Sequence, residues 1–176
     1  MPDQTVSHHG SSARARLALT ALWGALCLLI LAAPLAAAFS TAPVSSFIRL
    51  LFSPVCHQLP ERSFALLGHP WAVCHRCAGI YLGLLAASLF SPVTRMASLG
   101  PAPRRALVAA ATLPLLADFL LTLADIWAGT PASRFTTGFL FGFLLSTLLV
   151  AGVAELLQEN LMRPGVWTTM NDGGQT

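Results

Sequence analysis

Lysine is absent from this chain, and charged residues of all kinds make up only 10% of its 176 positions. Soluble domains carry about a quarter of their residues as charges. A surface wetted on every side is therefore excluded, and a membrane solvent is indicated before any motif is read. The basic residues are all arginines, placed singly or in pairs, with no basic run or basic–aromatic stripe to track a phosphate backbone. Nucleic acid is accordingly not an expected partner, despite a net charge of +3. Covalent c-type haem is excluded as well, because a histidine must follow the second cysteine of a Cys-x-x-Cys pair, and Ala78 stands there.

What the chain does have is apolar length. Hydrophobic residues account for 55% of it, with a mean hydropathy of +0.69. Residues 1–16 are polar and small, include His8 and His9, and read as a disordered cytoplasmic leader ending in Arg14 and Arg16. From Leu17 to Phe39 no charge interrupts the run, and about 20 apolar residues suffice to span a bilayer. The small residues of "LAAPLAAAFS" would also suit signal-peptide cleavage, but the run is long for a signal core, so a retained span is expected. Further spans are expected at about 77–93, 106–128 and 136–157, followed by a flexible tail over 161–176. Arg95, Arg104 and Arg105 lie between the second and third spans, and cytoplasmic loops are enriched in such residues. With Arg14 and Arg16 they put both termini in the cytoplasm. The expectation is an all-α, polytopic protein of the bacterial inner membrane. It has four transmembrane helices in one domain over 17–160, and the lipid bilayer is its partner.

The long loop 40–76 then lies outside. Within "VSSFIRLLFSPV", Val44, Phe47, Ile48, Leu51 and Phe52 share one face at helical spacing, while Ser46, Arg49 and Ser53 share the other. This predicts an interfacial helix with its apolar side in the membrane, ended by Pro54.

The chemistry concentrates in "CHQLPERSF" and "AVCHRCAGIYLG". Two cysteines separated by two residues, Cys74 and Cys77, can reach one ion from a tight turn, and Cys56 offers a third sulfur. Zinc takes four Cys or His ligands in a tetrahedron, so His57, His69 or His75 would complete the shell. Thiolate and imidazole ligands also suit other transition metals. A second reading is a membrane thiol–disulfide oxidoreductase cycling Cys74 and Cys77, since a helix N-terminus favours the thiolate and paired cysteines oxidise outside the cytoplasm. A third is plain packing of small buried residues. Cys27 sits mid-span, too deep to join the others. If the second helix begins at Cys74, then Cys74, Cys77 and Tyr81 share one side of it. Gly79 and Gly83 take the other side, as a patch that lets a second helix approach closely. Gly138 and Gly142 repeat the spacing in the fourth span, which suggests that these two helices pair.

Two carboxylates fall within the third span. Asp118 and Asp125 share a stripe with Pro114 and Thr122, and a carboxylate in hydrocarbon needs a partner. Arg134, at the start of the fourth span, is the expected counter-ion of Asp125. Asp118 has no local partner, and an ion or proton pathway through it is a further functional reading. Arg62 and Arg76 are placed to offset the charge of a cysteine-rich site. Glu155 and Glu159 read as a solvated helix tail.

"CHQLPERSF", "CHRCAGIYLG", the Pro-x-x-x-Asp of the third span and the Arg-x-x-Thr-Gly-x-x-x-Gly of the fourth together resemble a bacterial and archaeal membrane family, domain of unknown function 2085. The likeness covers about residues 53–145. It departs from the family at Phe119, where glycine is frequent, and at Ala132 and Ser133, where asparagine is frequent. The resemblance implies a membrane setting and no assigned activity. His57 belongs to the shared motif whereas His69 and His75 do not, so the resemblance makes His57 the preferred fourth ligand beside Cys56, Cys74 and Cys77.

Overall fold

The structure is a computed structural model that describes residues 4–39, 42–90 and 100–161. Helix α1 runs over Gln4–Ala38 and α2 over Ala42–Phe52. A 3-10 turn at Pro60–Arg62 follows, then strands β1 (Ser63–Leu66) and β2 (His69–Cys74). Helices α3 (His75–Phe90), α4 (Pro101–Leu123) and α5 (Pro131–Leu161) complete the chain.

Two expectations change. The fold is mostly helical but not all-α, because β1 and β2 pair antiparallel, with Leu66 opposite His69 and Ala65 opposite Pro70. The hairpin turns at Leu67 and Gly68, both with positive φ (53° and 79°), the geometry that matches the twist of two paired strands. Helix α1 begins at Gln4, so the segment expected as a disordered leader is helical from there onward. Among the described residues three helices are long and apolar enough to cross a membrane, over Ala13–Ala38, Ala102–Leu123 and Pro131–Leu157. Helix α3 has 16 residues. At 1.5 Å per residue that is about 24 Å, short of a hydrocarbon core of about 30 Å. The remainder of the expected 77–93 span, Arg95 and the tail beyond Leu161 lie outside the described residues.

The long helices alternate in direction. At one end Arg16 of α1 donates to the carbonyls of Ser88 (3.3 Å) and Leu89 (2.6 Å), where α3 finishes. A cation there meets the negative end of the helix dipole. At the same end Arg104, near the start of α4, pairs with Glu155 of α5 at 3.1 Å. The opposite end holds the sulfurs, above a core formed by Ile30 and Ala33 of α1, Ile48 and Phe52 of α2, Ala72 and Val73 of β2, and Ala78 of α3.

Helices α3 and α5 meet backbone to backbone. A β-carbon at Gly79 would collide with the main chain of Phe135 and Phe139, and one at Gly83 with that of Phe139 and Phe143. Reciprocally, Gly138 faces Arg76 and Gly142 faces Ile80, again main chain. The pairing suggested by the two glycine patches is the one that forms. Large apolar side chains on α4 stay outside the bundle, Leu113, Leu120 and Leu123 among them. Such a surface suits acyl chains as its solvent.

Helix α2 buries Ile48 and Phe52 against the protein and leaves Val44, Phe47 and Leu51 exposed, so its apolar face serves two contacts. Arg49, expected on a solvated face, instead bonds the Pro70 carbonyl of β2. Gln58 Nε2 in turn bonds the Arg49 carbonyl at 2.6 Å. These links fix the hairpin and the Cys56 turn to α2.

Candidate metal centre and the cavity beside it

Three elements deliver the sulfurs. Cys56 follows α2 in a turn, with its backbone N–H bonded to the Phe52 carbonyl at 3.0 Å. Gln58, two residues on, has φ 54°, which curls the chain back so that its N–H points at the Cys56 sulfur. Cys74 ends β2, and Cys77 lies in the first turn of α3. The ligand atoms of Cys56, Cys74 and Cys77 all lie within 4.8 Å of one another. Cys56 is buried, and the other two are partly so.

The backbone makes this a nest for negative sulfur. The Cys74 N–H donates to Cys56 Sγ at 3.2 Å. The N–H groups of Cys77 and Arg76, at the open start of α3, point at the Cys74 sulfur. The Cys74 thiol is held far below the ordinary value, first because the Cys56 thiol donates to it and then because Cys77 does. The Cys56 thiol is pushed up, chiefly by that same hydrogen bond to Cys74. The negative charge thus settles on Cys74, at the helix N-terminus, where backbone dipoles stabilise it.

The other residues singled out from the sequence divide between the site and its frame. His57 is exposed and lines the cavity next to the sulfurs, but it is not part of the close cluster, which among the described residues holds sulfur only. His75 turns the other way, buried edge-on against Phe64 with ring centroids 4.4 Å apart and its Nδ1 unbonded. Tyr81 packs edge-on against Phe52 at 5.8 Å and lines a separate cavity of about 30 Å³ with Cys27. Cys27 stays apart from the three sulfurs, as expected.

The carboxylates correct the sequence reading. Asp118, which has no local partner in the sequence, finds a distant one: it forms an ion pair with Arg76 and accepts a bond from Ser133 Oγ at 3.4 Å. Asp125 does not pair with Arg134. The α4 helix ends at Leu123, and Asp125 sits exposed in the following turn with φ 54°. Arg134 bonds instead to the carbonyl of Ala128. Arg76, expected to balance the thiolates, reaches Asp118 and lies 5.8 Å above the Phe119 ring. Ser133 and Arg49 are contributors that the sequence did not mark, since both act across long separations. The Arg49–Pro70 link spans 21 positions, with no pattern to announce it.

A cavity of about 630 Å³ opens beside the sulfurs. Arg62, Arg76 and Arg134 line it together with His57, and Leu59, Phe119 and Leu123 form an apolar part of its wall.

The comparisons agree with this membrane setting. A family model described as "Predicted membrane protein (DUF2085)" matches residues 56–148, from the first clustered cysteine to beyond Gly138 and Gly142 of α5. An uncharacterised protein of Methanocaldococcus jannaschii is 34% identical over 116 residues, 66% of this chain and 74% of that one. An uncharacterised protein of Methanothermobacter thermautotrophicus is 32% identical over 97 residues, 55% of this chain and 86% of that one. No solved structure matches. With its sulfur cluster, its Arg76–Asp118 pair and its interlocked glycines all inside the matched region, this chain belongs to the DUF2085 family of predicted membrane proteins.

Proposed function

We propose that this membrane protein holds one zinc-like ion at the rim of its helices, with Cys56, Cys74 and Cys77 as ligands and His57 as the fourth. The observation that carries the reading is the convergence of three sulfurs within 4.8 Å. Zinc–sulfur bonds of about 2.3 Å in a tetrahedron put the sulfurs roughly 3.8 Å apart. The trio therefore needs to contract by no more than about an ångström to close on an ion. His57 follows Cys56 directly and borders the same cavity as the three sulfurs. The ion would tie the end of β2 and the start of α3 to the turn after α2, and so serve structure or metal handling.

In this reading α3 crosses the membrane as a fourth, short span. The end bearing Arg16 and Arg104 faces the cytoplasm with both termini, and the sulfurs face outward across a prokaryotic cell membrane.

Elemental analysis of the purified protein tests the proposal. About one zinc per chain is expected, lost on Cys74→Ser and kept on Cys27→Ser. Metal-free protein whose Cys74–Cys77 disulfide accepts two electrons from a dithiol would replace it with the thiol–disulfide oxidoreductase reading, which the lowered Cys74 thiol favours. Ion or proton transport through Asp118 predicts instead that Asp118→Asn abolishes flux in vesicles, and the pairing of Asp118 with Arg76 weighs against it.

A further inference from the structure

The cavity beside the sulfurs carries more positive charge than its surroundings use. Asp118 is occupied by Arg76 and Ser133. Among the described residues no carboxylate pairs with Arg62 or Arg134. Arg134 is only 8% exposed, yet its Nε, buried, has no hydrogen-bond partner. A buried cation left short of partners is costly, and proteins keep one where something else completes it.

The loop before α5 holds that guanidinium in place. Its Nη2 is bonded to the Ala128 carbonyl, and Gly129, with φ 64°, lies so close that a β-carbon there would sit 2.9 Å from Nε. Arg62 and Arg76 both repel Arg134 across the cavity, while Asp118 and Cys74 attract it. Arg62, Arg76 and Arg134 all line this cavity, and among the described residues the one carboxylate ion-paired with any of them is Asp118.

We propose that this cavity binds a phosphate-class oxyanion, gripped between Arg62, Arg76 and Arg134. Guanidinium forks match the paired oxygens of phosphate, which makes arginine rather than lysine the fitting residue. The absence of lysine from the whole chain accords with this but does not carry it. Phe119 and Leu123, both exposed on α4, border the cavity on its apolar side. The phosphate can therefore belong to a free ion or to a lipid headgroup whose chains lie along α4. The site does not require an ion at the sulfurs.

The full chain, reconstituted in nanodiscs of zwitterionic lipid, is titrated with inorganic phosphate by calorimetry. In a second arm it is offered phosphatidylglycerol, and bound lipid is counted after exchange into detergent. Saturable binding at one site per chain is expected in at least one arm, and the arm that responds names the source. Arg134→Gln and Arg62→Gln should each weaken it at least tenfold, with Arg134→Lys losing less than Arg134→Gln. Arg62 is exposed, so Arg62→Gln leaves the fold in place even if Arg134→Gln does not. Failure of both arms, or binding unchanged by Arg62→Gln, overturns the proposal.

Discussion

Arg76 and Asp118 form an ion pair that joins the first turn of α3 to the last turns of α4. Arg76 stands between Cys74 and Cys77, so the pair anchors the backbone that presents both sulfurs. The two residues lie 42 positions apart, on helices that each pack against α5.

Asp118→Asn and Arg76→Gln should each leave a poorly matched polar group where Asp118 is 7% and Arg76 20% exposed. Removing one member of a dry pair costs about 3–5 kcal/mol, and the access of water to Arg76 reduces this to about 2–3 kcal/mol. Thermal unfolding in detergent should show both losses. The double variant should lose less than their sum, because the partners fail together. Strict additivity would mean that the pair contributes nothing as a pair.

Two glycines of the bundle make a sharper comparison. Gly83→Ala places a β-carbon against the main chain of Phe139 and Phe143, which cannot rotate away. Overpacking of this kind costs about 1–3 kcal/mol, and forcing α3 off α5 belongs at the upper end. Gly152, inside α5, has open space around it, and a β-carbon added there would meet nothing within 4 Å. Gly152→Ala should therefore stabilise by about 0.5–1 kcal/mol, through backbone entropy alone. Opposite signs in one melting experiment are the expected result.

Much of this architecture is legible in the residues, and the exceptions share a cause. Apolar runs at 17–39, 106–128 and 136–157 fall on α1, α4 and α5, because length and hydropathy are local properties. Gly79 and Gly83 against Gly138 and Gly142 also read correctly, since close helix approach demands small residues at that spacing. The convergence of Cys56 with Cys74 and Cys77 follows from their number in one short segment. The hairpin escapes notice because Leu67 takes a positive φ that nothing in its residue type leads one to expect beside Gly68. The partner of Asp118 escapes because ion pairs form across space, and Arg134, nearer in sequence, points to a pairing with Asp125 instead. Arg134 turns away because α4 stops at Leu123, two residues before Asp125.

Arg49→Met offers a test of how the sulfur rim is held. Methionine keeps much of the apolar stem but loses the bond to the Pro70 carbonyl. A charged donor to a half-buried carbonyl is worth about 1.5–3 kcal/mol. Amide exchange in β2 should quicken by at least about tenfold, the kinetic equivalent of about 1.4 kcal/mol, while exchange in α5 stays as it was. Uniform acceleration through both elements would locate the role of Arg49 in global stability rather than in the hairpin.

Proton competition gives the last prediction. Each thiol must shed its proton before its sulfur can hold zinc, so falling pH weakens binding and rising pH strengthens it. The thiols are not equivalent. Cys74 is held low by hydrogen bonds from Cys56 and Cys77, whereas Cys56 is raised by its bond to Cys74. As pH falls Cys56 therefore regains its proton before Cys74 does. The logarithm of apparent zinc affinity should change by about one to three for each pH unit, according to how many protons are displaced. Cys56→Ser should reduce that slope by about one and Cys27→Ser should leave it unchanged. A chelator should lower the thermal midpoint of the native protein but not that of Cys74→Ser, because only a bound ion can stabilise the fold by mass action. A flat pH response in the native protein would remove the thiolates from the site.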